Sequence, residues 1–210
     1  MDNTITFTYS PYYYFNSYKT ALKNLRIYYP DSDVFVYVDE NRNDIDKYND
    51  VAVKYDCNFH LRGGDMTYIN RTDPVDINTR KMTEMVNRWI HTCNNTTSKW
   101  IMLFEDDVLI KRKIHTWPTV ECGRNRDRIG FLAGGSIFRR DKFLESVKLV
   151  DIQFIMSQYP ITNWAGDELL KYIFLNNNAT HARWTEIAEP NYYDETDHAV
   201  YHGYKDLHEL

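Results

Sequence analysis

No apolar run in this chain approaches the ~20 residues of a membrane-spanning helix. The opening MDNTITFTYS lacks the basic start and apolar stretch of a secretory signal. Cysteine is scarce. Cys57, Cys93 and Cys122 are odd in number, far apart and not at metal-ligand spacing, which excludes a disulfide framework and a zinc cluster. They read as reduced thiols of a cytoplasmic protein, and on that reading the sequons at Asn70, Asn94, Asn95 and Asn178 are chance matches. A basic surplus is missing too: 25 Lys and Arg stand against 30 Asp and Glu, a formal charge of −5. A general nucleic-acid binder needs a basic face to displace counterions, so no nucleic acid is expected as a partner. No glycine-rich, lysine-bearing phosphate loop is present, which disfavours P-loop kinases and ATPases. Repeats, low-complexity tracts and long linkers are absent as well. The chain reads as one domain over residues 1–210, and the ending His208-Glu-Leu210 leaves room for it to be one domain of a longer protein.

What is abundant is tyrosine, with 17 of them, each offering a flat apolar body and a polar tip. Such side chains hold sugars and bases, and equally they fill the rim of a core. Ile5–Tyr9 reads as a first strand. A helix follows with Asn16 or Ser17 as its cap, because Tyr18, Ala21, Leu22, Leu25 and Tyr28 recur at helical spacing before Pro30. Asp33-Val-Phe-Val-Tyr-Val38 is a continuous β-rich run of the kind buried on both faces. Val51–Tyr55 reads as a shorter strand, and Arg62-Gly-Gly-Asp65 as a loop. A clear helix follows, capped at Asn78 or Thr79, with Met82, Met85, Val86, Trp89, Ile90 and Cys93 on one stripe. Further strands are expected at Trp100–Phe104, Ile129–Ala133, Ser136–Phe138 and Ala182–Ile187. Helices are expected at Lys142–Val150 and Asp167–Leu175. Strands alternating with helices imply an α/β fold with a mixed, mostly parallel central sheet flanked by helices. Ligands of such sheets bind outside the carboxyl ends of the strands.

Two central strands end in acid at that edge: Asp39-Glu40 and Glu105-Asp106-Asp107. In WIMLFEDDVLI, residues 100 to 110, five apolar residues run straight into three carboxylates. Like charges this close repel one another and are costly to desolvate. Glu105 and Asp107 would share one side of an extended segment, with Asp106 on the other. Two converging carboxylates make a hard-oxygen site suited to Mg²⁺ or Mn²⁺. The alternative is a solvated turn, against which the apolar flanks WIMLF and VLI argue.

An apolar strand ending in Glu-Asp-Asp within an α/β chain resembles the DxD motif of the GT-A (Rossmann-like) glycosyltransferases. Other segments stand in that family's order around it. Phe35–Glu40 resembles the second strand, whose terminal acid, here Asp39, contacts the nucleoside. Thr8-Tyr9-Ser10 sits where the first loop wraps the base. Asn78-Thr79-Arg80-Lys81 opens the helix where the family places basic residues on the donor. Gly134-Gly135-Ser136 resembles the segment approaching the sugar and acceptor. Trp164-Ala-Gly-Asp-Glu168 resembles the late acidic motif near the reacting carbon. His202-Gly-Tyr-Lys205 is similar to a tail supplying a histidine metal ligand and a phosphate-binding lysine in some retaining members.

The resemblance implies a metal-dependent transferase that moves a hexose or deoxyhexose from a UDP-sugar to a glycan or glycoprotein acceptor. In it Asp107, Glu105 and His202 hold Mn²⁺ or Mg²⁺. Asp106 accepts from a ribose hydroxyl. Arg80, Lys81 and Lys205 meet the diphosphate, and Asp76 reaches the sugar. Asp167 or Glu168 serves the reacting centre, as the general base if the enzyme inverts. The His202…Lys205 segment favours retention. Each residue also has a plain structural role available: Asp39 at a turn, Arg80 and Lys81 on a solvated helix face, Asp167 as an N-cap, and His202 exposed beside His198 and His208. The tyrosine-rich, cysteine-poor chain is further similar to the N-terminal domain of chlorella-virus capsid-protein glycosyltransferases, which implies a virus-encoded enzyme of host cytoplasm. Two other readings stand beside it: a Mg²⁺-dependent nucleotidyltransferase, and a non-catalytic Ca²⁺-dependent sugar-binding module.

Overall fold

A computed structural model describes residues 3–11, 14–63, 73–124, 134–158, 166–188 and 197–202, with the backbone alone at 124, 156–158, 166–168, 188 and 202. The expected strand at Ile129–Ala133 lies outside the described residues.

The chain opens with β1 (Ile5–Tyr9), α1 (Phe15–Tyr28), β2 (Val34–Asp39), α2 (Ile45–Lys54), β3 (Asn58–Arg62), α3 (Val75–Asn94) and β4 (Trp100–Phe104). Then come β5 (Val108–Ile110), β6 (Cys122–Arg124), β7 (Ile137–Arg139), α4 (Arg140–Val147), α5 (Ile152–Gln158) and α6 (Gly166–Leu175). Short strands β8 (His181–Arg183), β9 (Ile187–Ala188) and β10 (Val200–His202) complete it. Seven strands form one sheet in the order β3-β2-β1-β4-β7-β6-β8, and β5-β10-β9 form a second. In the large sheet only β7 runs against the others. The α/β class and its mostly parallel sheet are as the sequence pattern predicts.

The stretches read as strands at Ile5–Tyr9, Asp33–Val38 and Trp100–Phe104 become β1, β2 and β4, buried along their whole length. Their side chains serve two cores. On one face Phe7, Val36 and Phe104 pack with Tyr18, Leu22 and Leu25 of α1 and with Val108 and Val200 of the small sheet. On the other, Ile101, Leu103 and Phe138 meet Met82, Val86 and Trp89 of α3 and Phe174 of α6. Tyr9, Tyr18, Tyr37 and Tyr48 are fully buried, so these four tyrosines fill core.

Three local expectations are corrected. Val51–Tyr55 is no strand: it closes α2, where Tyr48, Val51 and Ala52 bury one helical face and Val53 and Lys54 face solvent. The strand is β3, formed by NFHLR on the sheet's edge, where the half-exposed pattern hides the signal. Helix α3 starts at Val75 behind Pro74, one turn earlier than expected. Asn78 is buried within it, and its side chain donates to the Asp73 carbonyl at 3.2 Å. Likewise α1 begins at Phe15 after Tyr14. Among the described residues no helix is long and apolar enough to cross a membrane.

Candidate active site

β1 connects through α1 to β2 on one side, and α3 crosses back to β4 on the other. The strand order therefore reverses between β1 and β4, and the carboxyl ends of these two strands flank a topological switch point. The acid triplet lies there. Phe104 ends β4, and Glu105–Asp107 turn the chain into β5, closed by a 3.0 Å bond from the Val108 N–H to the Glu105 carbonyl. The segment is a turn rather than an extended stretch. It separates the acids: Glu105 is exposed, whereas Asp106 and Asp107 are buried.

Asp106 faces the first loop. Its Oδ1 accepts from the Tyr9 hydroxyl at 3.0 Å, and its Oδ2 from the Tyr14 N–H at 3.3 Å. Burial, reinforced by the Asp106 charge, holds the Tyr9 phenol well above its ordinary pKa, so Tyr9 remains a donor. Of the expected base-wrapping residues, Thr8 is buried against α3, accepting from Thr92 Oγ1 at 3.2 Å, and Tyr9 is committed to Asp106. Ser10 is half-buried. Its N–H reaches the Phe104 carbonyl at 3.4 Å.

Gly134 and Gly135 close on the same turn. The Gly135 N–H donates to the Leu103 carbonyl at 2.7 Å, and the Leu103 N–H to that of Ser136 at 3.0 Å. A Cβ on Gly134 would stand 2.9 Å from Glu105 Oε2, so the carboxylate lies directly over this glycine. Gly135 has φ +82°, and a Cβ there would meet Ile187 Cδ1 at 2.6 Å. Behind the turn, β10 pairs antiparallel with β5 so that His202 sits opposite Val108, the residue after Asp107. Exposed Glu105 and buried Asp107 are the carboxylates that would hold an ion here, and the β5–β10 register carries the backbone of His202 alongside. Among the described residues no three His, Cys, Asp or Glu side chains form a metal-holding group. The carboxylate chemistry fits Mg²⁺ or Mn²⁺.

At the end of β2, Asp39 is buried and paired with Arg88 of α3, Nη2 to Oδ1 at 2.6 Å. Glu84 lies 3.6 Å from Arg88 Nε. Arg88, a basic partner of Asp39, is a residue that the sequence reading passed over. Its signal was available: Asn78, Lys81, Arg88 and Thr92 are polar, recur at helical spacing, and are buried. Arg80 and Lys81 lie about 10–12 Å beyond Arg88 along the helix axis. Arg80 is exposed, and Lys81 is buried in an ion pair with Asp73 at 2.9 Å. Asp76 is exposed in the first turn of α3. Asp167 and Glu168 follow Gly166 in the first turn of α6, as backbone only. Lys205 lies outside the described residues.

A layer of tyrosines supports the switch point. Tyr18 donates to the Tyr48 carbonyl at 3.0 Å, and Arg42 both donates to the Tyr48 hydroxyl at 2.7 Å and lies 4.3 Å over its ring. Burial pushes the Tyr48 phenol up to about 12.

This architecture has solved counterparts. The galactosyltransferase LgtC, crystallised with donor and acceptor sugar analogues, superposes with a TM-score of 0.58 at 14% identity over 94% of this chain and 86% of that one. The chain has the fold of this glycosyltransferase. The apo form of glycosyltransferase GlyE from Streptococcus pneumoniae TIGR4 gives a TM-score of 0.57 at 9% identity over 96% of this chain, which spans about half, 54%, of GlyE. A cytidylyltransferase from Leptospira borgpetersenii serovar Hardjo-bovis gives 0.52 at 11% identity over 86% of this chain and 74% of its own. At such identities the likeness is one of fold. No model of a known family matches the sequence, and no curated protein does.

Proposed function

We propose that the chain is a metal-dependent glycosyltransferase that moves a hexose or deoxyhexose from a UDP-sugar to a glycan acceptor. The observation that carries this reading is the acid turn Glu105–Asp107 at the switch point, closed on one side by Gly134–Gly135 and joined on the other by β10. Asp107 and Glu105 are the ligands of Mn²⁺ or Mg²⁺, and His202 completes the set. A divalent ion held there supplies Lewis-acid stabilisation to the departing diphosphate. The chain's own groups do the rest. Asp39 and the Thr8–Ser10 segment border the nucleoside. Asp106, which accepts from Tyr9 and Tyr14, also takes a ribose hydroxyl. Arg80, Lys81 and Lys205 add positive charge along the diphosphate, with Lys81 leaving Asp73 to do so. Asp76 reads the sugar, and Asp167 and Glu168 serve the reacting carbon. We favour retention, in which the leaving phosphate takes the acceptor proton. The acceptor is a viral capsid glycoprotein glycan and the setting host cytoplasm, readings that rest on the sequence resemblance alone.

The test is calorimetry of UDP with and without Mn²⁺, on the parent chain and on Asp107→Ala. Metal-dependent binding that the substitution abolishes supports the reading, and a screen of UDP-sugars for hydrolysis then identifies the donor. Absence of metal-dependent UDP binding refutes it. A nucleotidyltransferase is the second reading, favoured by the fold shared with the cytidylyltransferase. It releases pyrophosphate from a nucleoside triphosphate, whereas the transferase releases UDP.

A further inference from the structure

The pairing of β5 with β10 is short: Val200 with Ile110, Tyr201 with Leu109 and His202 with Val108. All three β5 residues are buried, and so are Val200 and Tyr201. Register in a sheet is normally set by alternation, because a one-residue slip carries buried side chains to solvent. Here both faces are covered, and burial does not discriminate one register from the next. Something polar has to.

Arg112, two residues past β5, meets the segments that lead into β9 and β10. Its Nη2 ion-pairs with Glu186 Oε2 at 2.8 Å, just before β9, and its Nε with Asp197 Oδ1 at 2.9 Å, just before β10. The same guanidinium also donates to the Asp197 carbonyl. Glu186 is itself fixed, accepting from the N–H groups of His115 at 3.0 Å and Thr116 at 2.5 Å. Burial alone would raise the Glu186 pKa, but the Thr116 N–H, Arg112 and the His115 N–H outweigh it and leave the carboxyl below its ordinary value. The β10 backbone is held in the same frame, by Lys111 N–H to the Ala199 carbonyl at 2.8 Å and Val200 N–H to that of Glu186 at 2.9 Å.

We infer that Arg112 is a positioning residue. With Glu186 and Asp197 it sets the register of β10 on β5 and thereby delivers His202 to the end of β4 where Asp107 stands. The inference rests on the proposed metal–diphosphate site. Arg112 touches neither metal nor donor in it and acts only through β10.

The experiment is a double-mutant cycle on UDP affinity in saturating Mn²⁺ and in EDTA. Arg112→Met is expected to weaken Mn²⁺-dependent UDP binding at least tenfold, leave metal-free binding unchanged, and be partly rescued by Arg112→Lys. In a His202→Ala background Arg112→Met should add nothing, because the two changes remove the same contribution. Asp197→Asn, at a side chain 91% exposed, tests the clamp without endangering the fold and should show a smaller loss in the same direction. If Arg112→Met and Asp197→Asn bind Mn²⁺–UDP like the parent while His202→Ala does not, the inference fails and the site reading stands. An undiminished Arg112→Met loss in the His202→Ala background also overturns it. A parent chain that ignores Mn²⁺–UDP removes the site reading and the inference with it, whereas one that binds Mn²⁺–UDP but is indifferent to His202→Ala overturns the inference and leaves Asp107 and Glu105 as the ligands.

Discussion

The Tyr9 hydroxyl donates a 3.0 Å hydrogen bond to Asp106 Oδ1, linking the carboxyl end of β1 to the acid turn after β4. Both residues are buried, so the bond is made away from water. Removing the donor leaves a buried carboxylate short of one partner, which costs about 1–3 kcal/mol. Tyr9→Phe keeps the ring and its packing on Tyr18 and Phe104. It should lower the urea unfolding free energy by that amount, and an unchanged midpoint would show that the bond contributes nothing net.

Arg88 and Asp39 make the second prediction. Both side chains are nearly excluded from solvent, and their contact is 2.6 Å. Breaking such a pair from one side strands a buried charge, at about 3–5 kcal/mol. Arg88→Met should therefore destabilise the chain strongly, and Arg88→Met with Asp39→Leu should recover part of the loss. A double variant no more stable than Arg88→Met would argue that Asp39 is not left stranded.

These contacts mark what the sequence could and could not convey. Continuous apolar runs announced β2 and β4, the β-rich stretch Ile5–Tyr9 announced β1, and helical stripes announced α1 and α3, because each pattern follows from local geometry. The acid triplet stood out as charge placed against two buried strands, but its geometry did not: alternation along an extended segment put Glu105 and Asp107 on one side, and the turn separates them. Strands of three residues such as β6, β8 and β10 are too short to carry a period. Val51–Tyr55 reads as a strand because valine favours strands, but tertiary packing of Tyr48, Val51 and Ala52 prevails over propensity. The partners of Asp39, Asp106 and Glu186 come from distant stretches of chain. Helical spacing groups Arg88 with Asn78, Lys81 and Thr92 on one polar stripe, but pairwise contact at that separation leaves no trace in residue spacing, so nothing local marks Asp39 as the partner of Arg88, or Tyr9 and Arg112 as partners at all.

His60 of β3 and His91 of α3 lie edge to face, ring centroids 4.6 Å apart. Tyr37 stacks on His60 and bonds His91 Nδ1 at 2.9 Å, and the Arg62 guanidinium lies 5.9 Å from the Tyr37 ring. Burial first, then His91 and Arg62, depress the His60 pKa below 6.5; burial and then Arg62 depress that of His91. The unfolded chain then binds more protons than the folded one as pH falls through 6.5 toward the folded values. Stability from this pair is fully present above pH 6.5 and declines below it. Urea midpoints at pH 8 and pH 5.5 should differ more in the parent than in His60→Gln. Equal differences in the two proteins would exclude His60 as a source of the pH dependence.

Gly134 and Gly135 are adjacent, yet alanine should act differently at each. At Gly135 the backbone is left-handed, and the new methyl would meet Ile187 Cδ1 at 2.6 Å. The conformational strain alone is about 1–3 kcal/mol. Gly135→Ala should lower the melting temperature clearly. At Gly134 the methyl would meet Glu105 Oε2 and Val108 Cγ2, each at 2.9 Å. Glu105 is exposed and can swing away, so part of the conflict is relieved by moving the carboxylate rather than the backbone. That movement displaces one of the two proposed metal ligands. Gly134→Ala should therefore weaken Mn²⁺-dependent UDP binding about tenfold or more, with a smaller fall in melting temperature than Gly135→Ala. If Gly134→Ala binds Mn²⁺–UDP like the parent, the position of Glu105 over this glycine is not what the metal requires, and Asp107 carries the site without it.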